Sequence, residues 1–227
     1  MRWLALVLVI GCGGDDSNAP GGTCSDTPPE VTGKGTYYDA DGTGNCSFDA
    51  SPANLNVAAM NAVDYNDAAW CGACLEVTGP NGAKVTVRVV DQCPGCAKGD
   101  LDLSPQAFSV LSPLLAGRIQ ISWHEVACPV SGPLAYHFKD GANAYWTAIQ
   151  IRNHRYPIAS VEAKDNGGAY RAISRVDYNY FVAASGLGPG PYSLRVTDTH
   201  GHAVEDTGIE LGDNVTRTGA NQLEACP

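Results

Sequence analysis

The stretch CGACLEVTGPNGAKVTVRVVDQCPGC, Cys71 to Cys96, decides how the chain is read. Leu75 and Val77 alternate with polar neighbours, Gly79-Pro80-Asn81-Gly82 is a turn, and Val85, Val87 and Val89 alternate again. Alternation broken by a Gly-rich turn predicts a β-hairpin. Working outward, Gly117 to Val126 is another strand. Two helices are expected in this half: one after Ser51-Pro52 carrying Leu55, Ala58 and Ala59, the other after a Ser104 cap and Pro105 carrying Phe108 and Leu111. Past Cys128, Pro129 to Pro133 breaks the pattern. Strand runs then follow at Trp146 to Ile151, Ile158 to Ala163, Tyr170 to Ile173 and Tyr192 to Thr197, with one brief helical stretch near Asn179 to Ala184. A second, all-β unit packed as a sandwich accommodates them.

The length of 227 residues, 44% of them apolar, gives one large or two smaller domains a real core. The one long apolar run, Trp3 to Ile10, falls far short of the roughly 20 residues of a membrane-spanning helix, which excludes a polytopic membrane protein. With 14 Lys and Arg against 24 Asp and Glu the net charge is −10, and no basic block is present. Such a chain repels phosphate backbones, so nucleic acid is excluded as a partner and uncharged polymers are favoured. Met1-Arg2 followed by that apolar run is a signal segment, and Gly11-Cys12 resembles a bacterial lipobox. The chain is therefore expected to be exported: lipid-anchored to the membrane through Cys12, or secreted. Residues 13–32 lack apolar periodicity and read as a flexible linker.

Of nine cysteines, setting Cys12 aside leaves Cys24, Cys46, Cys71, Cys74, Cys93, Cys96, Cys128 and Cys226. Two CxxC pairs match zinc-ribbon spacing, but export into an oxidising compartment favours disulfides over metal. His200-Gly201-His202 reads as a polar turn, and no metal and no cofactor are expected. Asp91 closes a hydrophobic strand and Asp102 precedes a helix cap, where loops gather at the end of a sheet. Two carboxylates facing a groove are what glycoside cleavage needs; a turn cap and a helix-dipole partner are the bland alternative. Tyr37-Tyr38 supplies faces on which sugar rings stack.

Taken together, these segments resemble the expansins, above all the bacterial expansin-like proteins. The resemblance rests on Gly35-Thr36-Tyr37-Tyr38, Asn45-Cys46-Ser47-Phe48, Cys71 to Val77, Val90 to Cys96, Leu101 to Phe108 and Trp123 to Cys128. It continues through Tyr145 to Pro157, Val176 to Phe181 and Leu194 to Asp198. It implies a mainly β fold: a six-stranded double-psi β-barrel over residues 33–130 and an immunoglobulin-like β-sandwich over 131–227 that binds carbohydrate.

By resemblance, Thr36, Asp91 and Asp102 line the barrel groove, with Asp102 where related inverting endoglucanases keep their general acid. Asp39 lies near the strand on which those enzymes place their base. Where some bacterial relatives carry an aromatic two residues after the first groove Asp, this chain has Cys93. Tyr145, Trp146 and Tyr178 match the flat aromatic strip of the binding module, and Lys139 an accompanying basic position. Neighbours in a strand face opposite ways, so Tyr145 and Trp146 share a surface only if the chain is irregular there. The family's disulfides imply Cys46–Cys71 and Cys74–Cys128, leaving Cys93–Cys96 and Cys24–Cys226. The resemblance implies a monomer that binds cellulose, a xyloglucan-like or another neutral β-glucan and loosens it without hydrolysis. Two rivals stand beside it: cleavage of β-glucan or peptidoglycan through Asp102, and plain adhesion.

Overall fold

The computed structural model describes residues 24, 29–164 and 168–226. The signal segment, Cys12 and most of the linker lie outside them. Six strands close a barrel in the order β1-β5-β2-β4-β3-β6: β1 (Val31–Tyr37), β2 (Val57–Asn61), β3 (Cys74–Thr78), β4 (Lys84–Cys93), β5 (Leu101–Leu103) and β6 (Ile119–Val126). Two parallel pairings, β1 with β5 and β2 with β4, sit among antiparallel ones. The β3–β4 hairpin follows the alternation of its valines: Val85, Val87 and Val89 enter the core while Lys84 and Thr86 face out. Helix α2 (Pro105–Leu111) is capped as expected, Ser104 accepting the Ala107 N–H, and buries Phe108 and Leu111 against the barrel.

Three expectations are corrected. Val31 and Thr32 belong to β1, paired with Trp123 and Ser122, so the linker ends two residues earlier than its composition suggested. Ala58 and Ala59 lie in strand β2, all five residues of which are buried, and the helix nearby is only the single turn α1 (Ala62–Tyr65). The hydrogen bonds β2 makes to β4 and β5 on its two sides override alanine's helical preference. The stretch expected to be helical near Asn179 is a turn leading into a strand.

The second unit contains β7 (Ala135–Phe138), β8 (Thr147–Arg152), β9 (Ile158–Lys164), β10 (Arg171–Arg175), β11 (Phe181–Ala183), β12 (Tyr192–Asp198), β13 (Ala203–Ile209) and β14 (Val215–Thr218). Their order is β13-β12-β9-β10-β11-β8-β7-β14. The first half of β10 pairs with β9 and its end with β11, so the sheet folds over through that strand. Phe138 of β7 and Tyr192 of β12, far apart in strand order, bring their rings within 6.2 Å. The two layers thus share one core, which includes Ile149, Ile151, Val161, Leu194 and Val196.

The units are tied tightly. Gln150 of β8 donates to the Cys46 and Ser47 carbonyls at 2.9 and 3.2 Å, Asn179 donates to the Cys46 carbonyl at 3.0 Å, and Arg152 pairs with Asp49 at 2.7 Å. Four disulfides join Cys46–Cys71, Cys74–Cys128, Cys93–Cys96 and Cys24–Cys226.

Candidate functional site

Register builds the site. On β1 Thr36 is level with Asp102 of β5, Asp102 with Ala59 of β2, and Ala59 with Asp91 of β4. Residues level across adjacent strands share a face, so the row Thr36–Asp102–Ala59–Asp91 runs over the outside of the barrel. At about 4.8 Å per strand the two Asp backbones stand roughly 10 Å apart, with only a methyl group between them. The row depends on a β-bulge: Ala58 pairs with Val89 and Ala59 with Asp91, leaving Val90 as the extra residue. Without it Asp91 would be level with Met60, which is fully buried.

Each acid is held differently. The Thr36 hydroxyl donates to Asp102 Oδ1 at 2.6 Å. Asp91 Oδ1 accepts the backbone N–H groups of Asn45 and Gln92 at 2.7 and 2.8 Å, fixing the loop after β1. Gly44 lets that loop come close, since a Cβ there would stand 2.4 Å from Asp91 Cβ. Tyr38 buries its hydroxyl with no partner among the described residues; burial first, then the nearby Asp91 and Asp102, pushes its pKa up. Tyr37 turns away from the row and lies against Phe108 of α2, ring centres 5.0 Å apart. Asp39 is exposed.

The row is tied to the second unit through Asn45. Its side-chain amide donates to the Asp177 carbonyl at 2.9 Å and to the Tyr65 hydroxyl at 3.0 Å, and Tyr65 donates to the same carbonyl at 2.9 Å. Burial, and after it the nearby Asp91 and Asp177, pushes the Tyr65 pKa up to about 12, although the Asn45 bond pulls the other way. Tyr178 is the next residue, and the Lys139 ammonium lies 6.0 Å from its ring and 5.3 Å from that of Tyr180. Along β8, Ile149 and Ile151 enter the sandwich core, while Ala148 and Gln150 on the other side are buried too, Gln150 against the barrel's Cys46 and Ser47 carbonyls. Asn143 to Trp146 is a turn closed at 2.8 Å, and within it Tyr145 is 83% exposed. The chain there is irregular, and neither Tyr145 nor Trp146 belongs to the core.

The histidine turn is less plain than its sequence. His200 sits 2.7 Å from Glu125 of β6, and His202 bonds Asp198 at 2.8 Å, so acidic partners are close after all. Among the described residues, one group of metal-ligating type gathers within 4.8 Å: Cys24, Cys226 and His202. The disulfide between those cysteines removes both thiolates.

A family model described as lytic transglycolase, of the double-psi barrel type, matches residues 30–123. Expansin-YoaJ of Bacillus subtilis (strain 168) is 39% identical over 173 residues, covering 74% of this chain and 73% of that protein. The chain belongs to the expansin family. Expansin-like protein 1 of Dictyostelium discoideum is 30% identical over 217 residues, covering 90% of this chain and 76% of that protein. The crystal structure of the apo expansin of Clavibacter michiganensis is 35% identical, with a TM-score of 0.80, and covers 88% of this chain and 100% of that one. An Asp-to-Asn variant of the same bacterial expansin, in complex with cellohexaose, aligns with a TM-score of 0.81. The expansin architecture, a double-psi barrel followed by a β-sandwich, accounts for both sheets described above.

Ala59, Asn45, Tyr65 and Asp177 escaped the reading of the sequence. Asn45 stood inside a quoted block, directly after Gly42-Thr43-Gly44, and that glycine spacing was the available signal. Nothing local marks Ala59, whose place is set by pairing partners distant in sequence.

Proposed function

We propose that this expansin lays a straight, neutral β-glucan, cellulose in the first place, along Tyr145, Trp146 and Tyr178 of the second unit and over the Thr36–Asp102–Asp91 row of the barrel, and weakens its contacts without cutting it. The observation that carries this is Asn45, whose backbone N–H bonds Asp91 of the row while its side chain bonds the Asp177 carbonyl, one residue before Tyr178. The cellohexaose held by the Clavibacter expansin supports the same ligand class. Tyr145, Trp146 and Tyr178 stack on sugar rings, with Lys139 beside Tyr178, while Thr36, Asp91 and Asp102 present the polar row and the Tyr38 ring lies beside it. A net charge of −10 works against polyanionic wall polymers and for neutral ones. In this reading the protein is exported by its N-terminal signal, and the Cys12 anchor is checked by labelling with a fatty-acid analogue.

Sedimentation with insoluble cellulose tests the binding surface. Replacing Tyr145, Trp146 and Tyr178 together by Ala removes on the order of 1 kcal/mol per ring, about a hundredfold in affinity. Unchanged sedimentation would refute the assignment. The lytic transglycolase match over the barrel favours one rival, cleavage of peptidoglycan or glucan by Asp102. Reducing-end assays on β-glucan and on sacculi decide it: product that disappears in Asp102→Asn would overturn the non-hydrolytic reading.

A further inference from the structure

A cavity of about 610 Å³ opens between the two units, lined in part by Phe48, Asn54, Asn56, Arg88 and Arg152. Arg88 lies on β4 just before the bulge, on the strand's outward side. Its guanidinium carbon is 4.9 Å from the centre of the Phe48 ring, so one face of the fork is covered. Among the described residues no carboxylate pairs with it; burial, and after it the neighbouring Arg152, lowers its pKa. Arg152 already holds Asp49 at 2.7 Å and the Gln150 side chain at 2.5 Å.

Charge selects the ligand. The ionised residues lining the cavity are Arg88, Arg152 and Asp49, which leaves a single positive charge in excess. His154, also in the lining, stays neutral because burial pulls its pKa down to about 4. A single positive charge in a chain at −10 is suited to a monoanion, whereas Asp49 opposes a dianion. A guanidinium fork grips a carboxylate through two parallel hydrogen bonds. Beside it, Asn56 accepts the Arg88 backbone N–H at 3.0 Å, which sets the two residues side by side. The Asn56 side-chain amide makes no hydrogen bond among the described residues, and such amides suit sugar hydroxyls. A cavity of this size takes a ligand of one to three sugar rings.

We propose that this cavity is a binding site for a uronate, a sugar unit bearing one carboxylate, held by Arg88 and contacted by Asn56. The site is separate from the glucan path and does not rest on the reading given above. Uronates reach it as short soluble oligomers or as ends of a polyuronide, and the two sources are told apart by probe.

The experiment is calorimetric titration of the full chain with an aldobiouronate, a disaccharide with one carboxylate, alongside cellobiose and inorganic phosphate, and sedimentation with insoluble polygalacturonate. Saturable aldobiouronate binding is expected, at least tenfold tighter than phosphate and with no competition from cellobiose. Arg88→Gln should weaken it tenfold or more and leave cellohexaose binding unchanged; Arg88→Lys, keeping the charge but not the fork, should fall between. Sedimentation with the polymer assigns the source to chain ends, and its absence assigns it to free oligomers; both agree with the site. If Arg88→Gln fails to fold, Asn56→Ala gives the readout, with a loss of threefold or more. No saturable binding by the native chain, affinity unchanged in a folded Arg88→Gln variant, or phosphate binding equally well would each overturn the proposal.

Discussion

Two single residues carry more of this molecule than their sequence suggests. Gly44 is needed because Asp91 occupies the space a side chain would fill. Gly44→Ala is expected to cost about 1–3 kcal/mol, by forcing either the loop or the carboxylate to move, which chemical denaturation will measure. Wall loosening should fall with it, since Asp91 is displaced from the row. His154 is fully buried, its Nδ1 2.7 Å from the Tyr156 carbonyl. Burial, reinforced by Arg88 and Arg175 and opposed by Asp198, pulls its pKa from 6.5 to about 4. The unfolded chain therefore takes up a proton near pH 6.5 that the folded chain refuses until about pH 4. Stability from this group is complete above that window and declines by about 3 kcal/mol as pH falls through it. Melting curves across the window should show the decline, and His154→Asn should flatten it; a native curve level over that range would refute the assignment.

At the scale of elements, the decisive feature is a strand with one residue too many. The hairpin β3–β4 and the capped helix α2 were legible because their signals are local: alternating valines around a glycine turn, and Ser104-Pro105 before Phe108 and Leu111. Asp91 and Asp102 were legible as candidates for the same reason. Their alignment was not, since it follows from Val90 bulging between Val89 and Asp91, a matter of pairing with β2. The misread helix at Ala58 and Ala59 has the same origin, because a buried strand with neighbours on both sides has no alternation to display. Strand β8 also joins the two units, and its Gln150 shares the Cys46 carbonyl with Asn179. Replacing both by Ala leaves a buried carbonyl without side-chain donors, at about 1–3 kcal/mol. Calorimetry should then resolve two unfolding transitions in place of one; a single transition would show that the remaining ties suffice.

At the scale of the whole molecule, the Cys24–Cys226 bridge spans 202 residues, whereas Cys93–Cys96 spans 3. Loop-closure entropy assigns the long bridge about 5 kcal/mol and the short one about 2. Removing Cys24 and Cys226 together by Ser should therefore lower the melting temperature clearly more than removing Cys93 and Cys96, and equal losses would contradict this account. The same bridge gives force a second route. A pull on the residues ahead of Cys24 passes through sulfur into Cys226, which donates its backbone N–H to the Tyr156 hydroxyl in the sandwich. The backbone running on to β1 is therefore not the sole carrier of such a load, and part of a tug on the leading segment strains the C-terminal unit.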